Sequence, residues 1–307
     1  MAEWKRIFVD FKAIEPIDEL PNGAVSVPLL WVLVQKQSAL GHDSRKKARI
    51  VAAETIDKHY YDKDITISPT VNADAVKVMA AIGLEYNCTF ETKDVAGGYL
   101  HARYPKDLKP VYVTIPPRLR EVLKNHPDLL PRTPSGDVAK YFQISMALYG
   151  CRCSCRLFYQ MFRSFMTGSS VKEKDGHFGA GWSQSEIDAC VFFKREGKGF
   201  AILCCHVDDS FLVASPDEDG QRIRNEFNEA FCKRFDLSEE CTQGDQHEYL
   251  SMLITIDRKK GSLTFKMPKL YKKLKAVLES MGDRARRRGR YCSTYLCLGH
   301  LVLLVRE

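Results

Sequence analysis

Phe200-Ala-Ile-Leu-Cys-Cys-His-Val-Asp-Asp-Ser-Phe-Leu-Val-Ala-Ser215 decides how the rest of the chain is read. Two short apolar runs, 200–207 and 210–214, flank the adjacent carboxylates Asp208 and Asp209. Runs of that length, rich in Val, Ile, Leu and Phe, predict buried strands with the polar pair as a tight hairpin turn between them. Two-residue hairpin turns want positive φ and favour Asn-Gly or Asp-Gly. Asp-Asp is a poorer choice, and two like charges side by side add repulsion. A divalent cation would relieve that repulsion, because hard cations such as Mg²⁺ take oxygen ligands, often one or two carboxylates with substrate phosphates. An exposed acidic turn explains the same residues, and only a further carboxylate elsewhere separates the two readings.

The 307 residues suffice for one large domain or two modest ones, and 45% hydrophobic with 28% charged residues is ordinary globular composition. The net charge of +7 invites a polyanionic partner, but it is unevenly placed. Residues 283–307 carry six Arg against Asp283 and Glu307, which leaves the body only weakly basic. The run Arg284–Arg290 reads as a solvated charge cluster or a nuclear address. Eleven cysteines, an odd number, and an N-terminus without a secretory pattern point to free thiols in a reducing compartment. Cys151-x-Cys-x-Cys155 and Cys204-Cys205 lack the spacing of paired zinc knuckles. The apolar run 295–305 is far short of the ~20 residues that span a bilayer.

Along the chain, residues 1–30 are expected to be a poorly ordered lead-in. A strand at 31–36, a turn at 38–44 and a strand at 45–53 form a basic hairpin, with Lys47 and Arg49 on one side by the period of two. Such a hairpin suits phosphate contact, or equally a charged edge strand that resists aggregation. A helix is expected at 73–86, and the alternating strand from Thr89 ends in a further carboxylate, Asp94, before the turn at Gly97-Gly98. An amphipathic helix is expected at 138–150 and another at 157–166. Strands at 249–256 and 263–267 make a last hairpin, and Pro268 opens a helix to 281. Hairpins outnumber βαβ units, so the expected fold class is α+β with an antiparallel sheet.

Three acidic residues at strand ends can meet on such a sheet, and two metal ions held there can clamp both oxygens of a phosphoryl transfer. The chain resembles the reverse transcriptase of copia-type LTR retrotransposons from about Trp31 to Met281. The resemblance is carried by Lys47-Ala-Arg-Ile-Val-Ala52, Ser68-Pro-Thr-Val71, Asp94-Val-Ala-Gly-Gly-Tyr-Leu100, Ala147-Leu-Tyr-Gly150, His206-Val-Asp-Asp209 and Tyr249-Leu-Ser251, in the family's order. It implies a right-hand polymerase, with fingers, palm and partial thumb over 31–282 and an unrelated or frameshifted tail at 283–307. Asp94, Asp208 and Asp209 would be the catalytic, metal-binding acids for two Mg²⁺, or Mn²⁺, with Asp209 acting less directly. Lys47 and Arg49 would hold the triphosphate, and Tyr99 would exclude a ribose 2′-hydroxyl. Gly150 would lie under the nascent base pair, with Arg152 nearby. Residues 249–267 would lie against the primer strand.

The implied partners are an RNA or DNA template-primer and dNTP, with no membrane. Integrase and RNase H of the same polyprotein are expected beyond this chain. The implied location is a cytoplasmic virus-like particle or the nucleus, and not a secreted setting. His206, Cys153 and Cys155 depart from the family's usual Tyr, Gln and Pro, and Gly98 from its usual Ala. These departures motivate an alternative, an inactive relic that keeps the fold and binds nucleic acid.

Overall fold

The chain weaves twice between two compact units. The computed structural model describes residues 1–36, 45–53, 66–168, 180–238, 241–287 and 301–304. Unit one begins with the helix α1 (Ala2–Lys5), a wider helical turn (Arg6–Asp10), and strands β1 (Ile14–Ile17), β2 (Ser26–Lys36) and β3 (Arg45–Ala52). The chain then contributes α2 (Ala73–Glu85) and β4 (Thr89–Asp94) to unit two. It returns to unit one for a 3₁₀ turn (Gly98–His101), β5 (Tyr112–Thr114), α3 (Pro117–Leu123), β6 (Tyr141–Ile144) and α4 (Ser154–Thr167). Unit two is completed by β7 (Ser183–Gln184), β8 (Val191–Glu196), β9 (Gly199–His206), β10 (Asp209–Ala214), α5 (Glu218–Arg234), β11 (Thr242–Gln243), β12 (Gln246–Tyr249), β13 (Met252–Asp257), β14 (Ser262–Lys266), α6 (Pro268–Arg287) and β15 (Leu301–Leu304). The fold class is α+β, as expected.

In unit one the sheet order is β1-β6-β5-β2-β3. All its pairings are antiparallel except β2 with β5, which is parallel. Residues 1–30 are not a loose lead-in. Trp4 is fully buried, stacks on Phe8 at 5.3 Å, meets Phe142 edge-on at 6.3 Å, and donates its indole N–H to the Leu129 carbonyl at 3.0 Å. The segment lacks sequence periodicity because α1 is a single turn, too short to show any; one aromatic anchor docks it.

The helix expected at 138–150 is also absent, and β6 stands there instead. Its residues alternate in burial, and tertiary pairing with β1 and β5 overrides a weak local helical pattern.

In unit two the six-stranded sheet runs β11-β4-β10-β9-β8-β7, antiparallel at every pairing. A second sheet runs β12-β13-β14-β15. The strand expected at 249–256 is therefore interrupted, because Leu250 and Ser251 take positive φ of 51° and 62° and turn the chain from β12 into β13. Helix α6 starts at Pro268 as expected and runs on to Arg287, while β15 pairs with β14. Residues 301–304 of the expected unrelated tail thus join a sheet, and the turn expected at 38–44 lies outside the described residues, as do Arg288 and Arg290.

Helix α2 begins at Asn72, whose side chain accepts from the Asp74 N–H at 2.9 Å, a side-chain N-cap. It approaches the sheet so closely that a Cβ on Gly83 would stand 2.6 Å from the Phe90 ring and 2.8 Å from Val213. The opposite face of the sheet carries α5, whose Ile223, Phe227 and Phe231 are buried. The described cysteines are free, as expected, and Cys204 is a core residue whose thiol burial pushes up to about 12.

Replacement of Trp4 by Ala should cost about 3–5 kcal/mol, the range for losing a large buried aromatic. Urea denaturation of the two proteins measures it, and a loss below about 1 kcal/mol would show α1 to be dispensable packing.

Candidate active site

The turn of the β9–β10 hairpin is Val207-Asp208, one residue earlier than the expected Asp208-Asp209, because Asp209 already pairs with His206. Val207 has φ 56°, a left-handed conformation that a β-branched residue adopts only under strain. Backbone strain of this kind, of order 1–3 kcal/mol, concentrates at functional sites.

On its other side β10 pairs with β4, and the register sets Asp209 directly opposite Asp94. At the next rung the Val95 N–H donates to the Asp208 carbonyl at 2.8 Å. The 94/209 pair therefore occupies a non-hydrogen-bonded position, where facing Cα atoms are only about 4.5 Å apart. His206, Asp209 and Asp94 form one row across three strands, all half-buried, with Asp208 in the turn beside them. Directly opposed like charges are unfavourable on a sheet. The sequence reading expected Asp209 to be the less direct acid; by register it is the one that faces Asp94.

Both faces of β4 are anchored. Glu91 and Lys93 point to the α5 side, both under 10% exposed. Glu91 pairs with Arg224, with Lys93 at 2.9 Å and with the Asn228 amide at 3.1 Å. Burial pushes the Glu91 carboxyl up, but Lys93 and Arg224 more than offset it and hold it below its usual range.

On the opposite face Thr92 meets Thr242 in a hydroxyl pair, and Thr242 lies 2.8 Å from His247 Nδ1. His247 Nε2 lies 2.8 Å from the Gly244 carbonyl. A carbonyl can only accept, so Nε2 carries the proton and Nδ1 accepts from the Thr242 hydroxyl. Burial, opposed by the Gly244 bond and the Asp245 and Glu91 charges, holds this imidazole below its usual 6.5.

Unit one gathers the other expected residues. Lys47 and Arg49 lie on one side of β3, and the Arg49 guanidinium sits 4.8 Å over the Tyr149 ring. Tyr149 packs 4.8 Å from Tyr99, whose hydroxyl is 2.8 Å from Cys155 Sγ. Tyr99 belongs to the 3₁₀ turn entered through Gly97 at φ 70°. Gly150, at φ 90°, brings its backbone against Ala52, and the Ala52 N–H donates to the Tyr149 carbonyl at 2.7 Å. A Cβ there would collide with the Ala52 carbonyl oxygen, a reason for glycine internal to unit one. Arg152 is half-buried just before α4, and Cys153 is fully buried.

Glu3 lies in α1, within the segment expected to be a lead-in, and is an unpredicted neighbour of the expected site residues. Burial raises its carboxyl, against the pull of Arg6, the Ile50 N–H, Arg49 and Lys47, so it neighbours Lys47 and Arg49 of β3. No sequence signal pairs residue 3 with residues 47 and 49; only the packing of α1 on β3 does. Among the described residues no three His, Cys, Asp or Glu side chains converge closely enough to hold a metal by themselves.

The chain is thus an α+β protein with two carboxylates facing each other at the end of an antiparallel sheet, beside a strained acidic hairpin turn. The family described as reverse transcriptase (RNA-dependent DNA polymerase) matches residues 14–281, and the chain belongs to it. It is 25% identical over 236 residues to the Ty1-BR, Ty1-MR1 and Ty1-BL transposon Gag-Pol polyproteins of Saccharomyces cerevisiae, which agrees with the copia-type resemblance. The match covers 74% of this chain and 12% of each relative. Among solved structures, a Candida albicans telomerase complex aligns at TM-score 0.39 and 9% identity, over 86% of this chain and 48% of that one. A Candida tropicalis apo telomerase aligns at TM-score 0.40 and 9% identity, over 83% and 52%. Such scores carry no argument about this chain. Among the described residues no helix is long and apolar enough to cross a membrane.

Asp94→Asn should raise stability by ~0.2–1 kcal/mol in EDTA, by removing one of two opposed charges. Denaturant midpoints in EDTA check this, and a loss would mean the pair is not repulsive. His247, depressed in the folded state, is neutral in both states above 6.5; below 6.5 the unfolded chain binds the proton first. Stability should therefore fall as pH drops below 6.5, and His247→Gln should lose that component of the slope. Parallel denaturation series for the two proteins on either side of that pH measure the difference.

Proposed function

We propose that this chain is the RNA-directed DNA polymerase segment of a copia-type retrotransposon polyprotein, adding deoxynucleotides to a primer 3′-hydroxyl with release of pyrophosphate. The observation that carries the reading is the Asp94–Asp209 opposition beside Asp208, in a chain of the reverse transcriptase family. The donor set fits Mg²⁺ or Mn²⁺: it is all oxygen, and two carboxylates completed by substrate phosphates is a usual Mg²⁺ site. Asp94, Asp208 and Asp209 would hold the two ions, which when bound neutralise charge on the attacking and leaving oxygens. In this reading unit two carries the palm, and unit one carries the fingers.

Arg49 and Lys47 bind the triphosphate. Arg49 Nε is buried with no hydrogen-bond partner among the described residues, a donor available to a phosphate oxygen. Glu3 screens these cations and must yield to the incoming anion. Tyr99, fixed between Tyr149 and Cys155, is held rigidly enough to exclude a 2′-hydroxyl by sterics. Gly150 keeps the backbone low beside the nascent base pair, and Arg152 completes the basic set. An RNA or DNA template-primer and dNTP are the partners. Integrase and RNase H belong to the remainder of the polyprotein, whose setting is a cytoplasmic particle or the nucleus.

Primer extension on a primed RNA template, in Mg²⁺ and separately in Mn²⁺, tests the reading. The wild-type chain should extend, and Asp94→Asn or Asp208→Ala should fall by at least ~10²–10³, the scale of losing one transition-state electrostatic group. Tyr99→Ala should keep dNTP incorporation and gain ribonucleotide incorporation. A cooperatively folded wild-type protein that extends no primer would overturn the proposal in favour of an inactive relic.

A further inference from the structure

A cavity of about 410 Å³ lies in unit two, lined by Tyr86, Arg195, Lys198, Phe200, Ser215, Pro216 and Asp217. Phe200 and His206 stand on the same strand six residues apart, so the cavity lies roughly 20 Å from the carboxylate row, toward the other end of the sheet. Its walls are built on fixed elements. Tyr86 is the C-cap of α2, and the turn after it is held by Arg258, which donates to Asn87 Oδ1 at 2.6 Å and to the Cys88 carbonyl at 2.7 Å. The Phe200 N–H donates to Ser215 Oγ at 3.0 Å.

The side chains facing this space divide into an aromatic and a cationic part. Tyr86 is 58% exposed and meets Phe200 edge-on at 5.6 Å, which leaves a ring face open. Arg195 and Lys198 have no ion-pair partner among the described residues, although carboxylates are close at hand. The neighbouring Lys194 is bound to Glu196 at 3.0 Å and Glu226 at 3.4 Å, and Arg222 to Asp219 at 2.9 Å. The carboxylate in the lining, Asp217, is turned to the start of α5, where it accepts from the Gly220 N–H at 2.9 Å as the N-cap, and it keeps its negative charge. The cavity thus offers an exposed aromatic ring and two cations, Arg195 and Lys198, against the single carboxylate of Asp217.

We infer that this cavity is a second nucleic-acid site, holding one nucleotide unit of a single strand with its base on Tyr86 and its phosphate at Arg195 and Lys198. Its volume is within the range of small-ligand sites, and base stacking combined with backbone cations is how single strands are held without regard to sequence. An acidic peptide would satisfy the cations but leave the ring face unused.

Photocrosslinking tests the assignment independently of polymerase activity. The probes are an oligothymidylate bearing 4-thiothymidine, and free 4-thiothymidine 5′-monophosphate, each with excess fully paired duplex to cover the carboxylate row. Crosslinked peptides are mapped by mass spectrometry. The oligonucleotide should label Tyr86 or Phe200, and the Arg195→Ala/Lys198→Ala double variant should lose labelling there about tenfold. These side chains lie at the surface, and thermal unfolding confirms that the variant folds. Labelling by the free nucleotide as well would support the same chemistry. Labelling by the free nucleotide alone would overturn the single-strand assignment. Labelling only elsewhere, or labelling of Tyr86 unchanged in the double variant, would overturn the site. The Asp94→Asn protein should label as wild type does, so failure of primer extension and failure of this site remain distinguishable.

Discussion

The register of β4 against β10 is the constraint on which the candidate active site depends. Side chains alternate along a strand, so a slip of one residue would carry Asp94 to the α5 face and away from Asp209. Chemistry on both faces prevents that slip. On one face the Glu91 carboxylate is shared among Lys93, Arg224 and Asn228, and the Ser210 hydroxyl donates to the Lys93 carbonyl at 3.3 Å. On the other, Phe90 fits under Gly83, and Thr92 joins the chain that ends at His247. A buried charge left without its partner is strongly penalised, so the Glu91 cluster specifies register even where its net stabilisation is small. The result is an opposed carboxylate pair that the fold tolerates and does not favour.

Unit one solves a different problem, that of keeping cations available on an edge strand. Strand β3 is the edge of its sheet, and an edge exposes unpaired backbone donors. The Ala52 donor is covered by Tyr149, and the Ile50 donor by Glu3. Both coverings serve the charges as well: Tyr149 supports the Arg49 guanidinium, and Glu3 offsets it. The glycine at 150 follows from the same contact, since the chain must pass flat against the Ala52 carbonyl to place Tyr149.

Much of this was legible in the sequence where a pattern is local and long. The apolar runs around Asp208-Asp209, the alternation from Thr89 to Asp94, the helix at 73–86 and the proline that opens α6 each appear in the structure within a few residues. The failures share a physical cause. The hairpin turn moved by one residue because strand pairing drew Asp209 into the ladder and left Val207 strained. Residues 141–144 became a strand because two neighbouring strands offered them hydrogen bonds. Trp4 and Glu3 went unread because a one-turn helix has no period, and its value lies in contacts with residues far along the chain.

By itself the sequence determined the α+β class, the basic hairpin, the acidic residues at strand ends and the family to which the chain belongs, because each is written in local pattern or in ordered motifs. The tertiary structure alone decided that Asp209 faces Asp94, that Glu3 sits among the cations of β3, and that Tyr86, Arg195 and Lys198 share a cavity. Those three facts are set by strand register and by packing between segments tens to over a hundred residues apart, and no local rule of composition or periodicity encodes such distances.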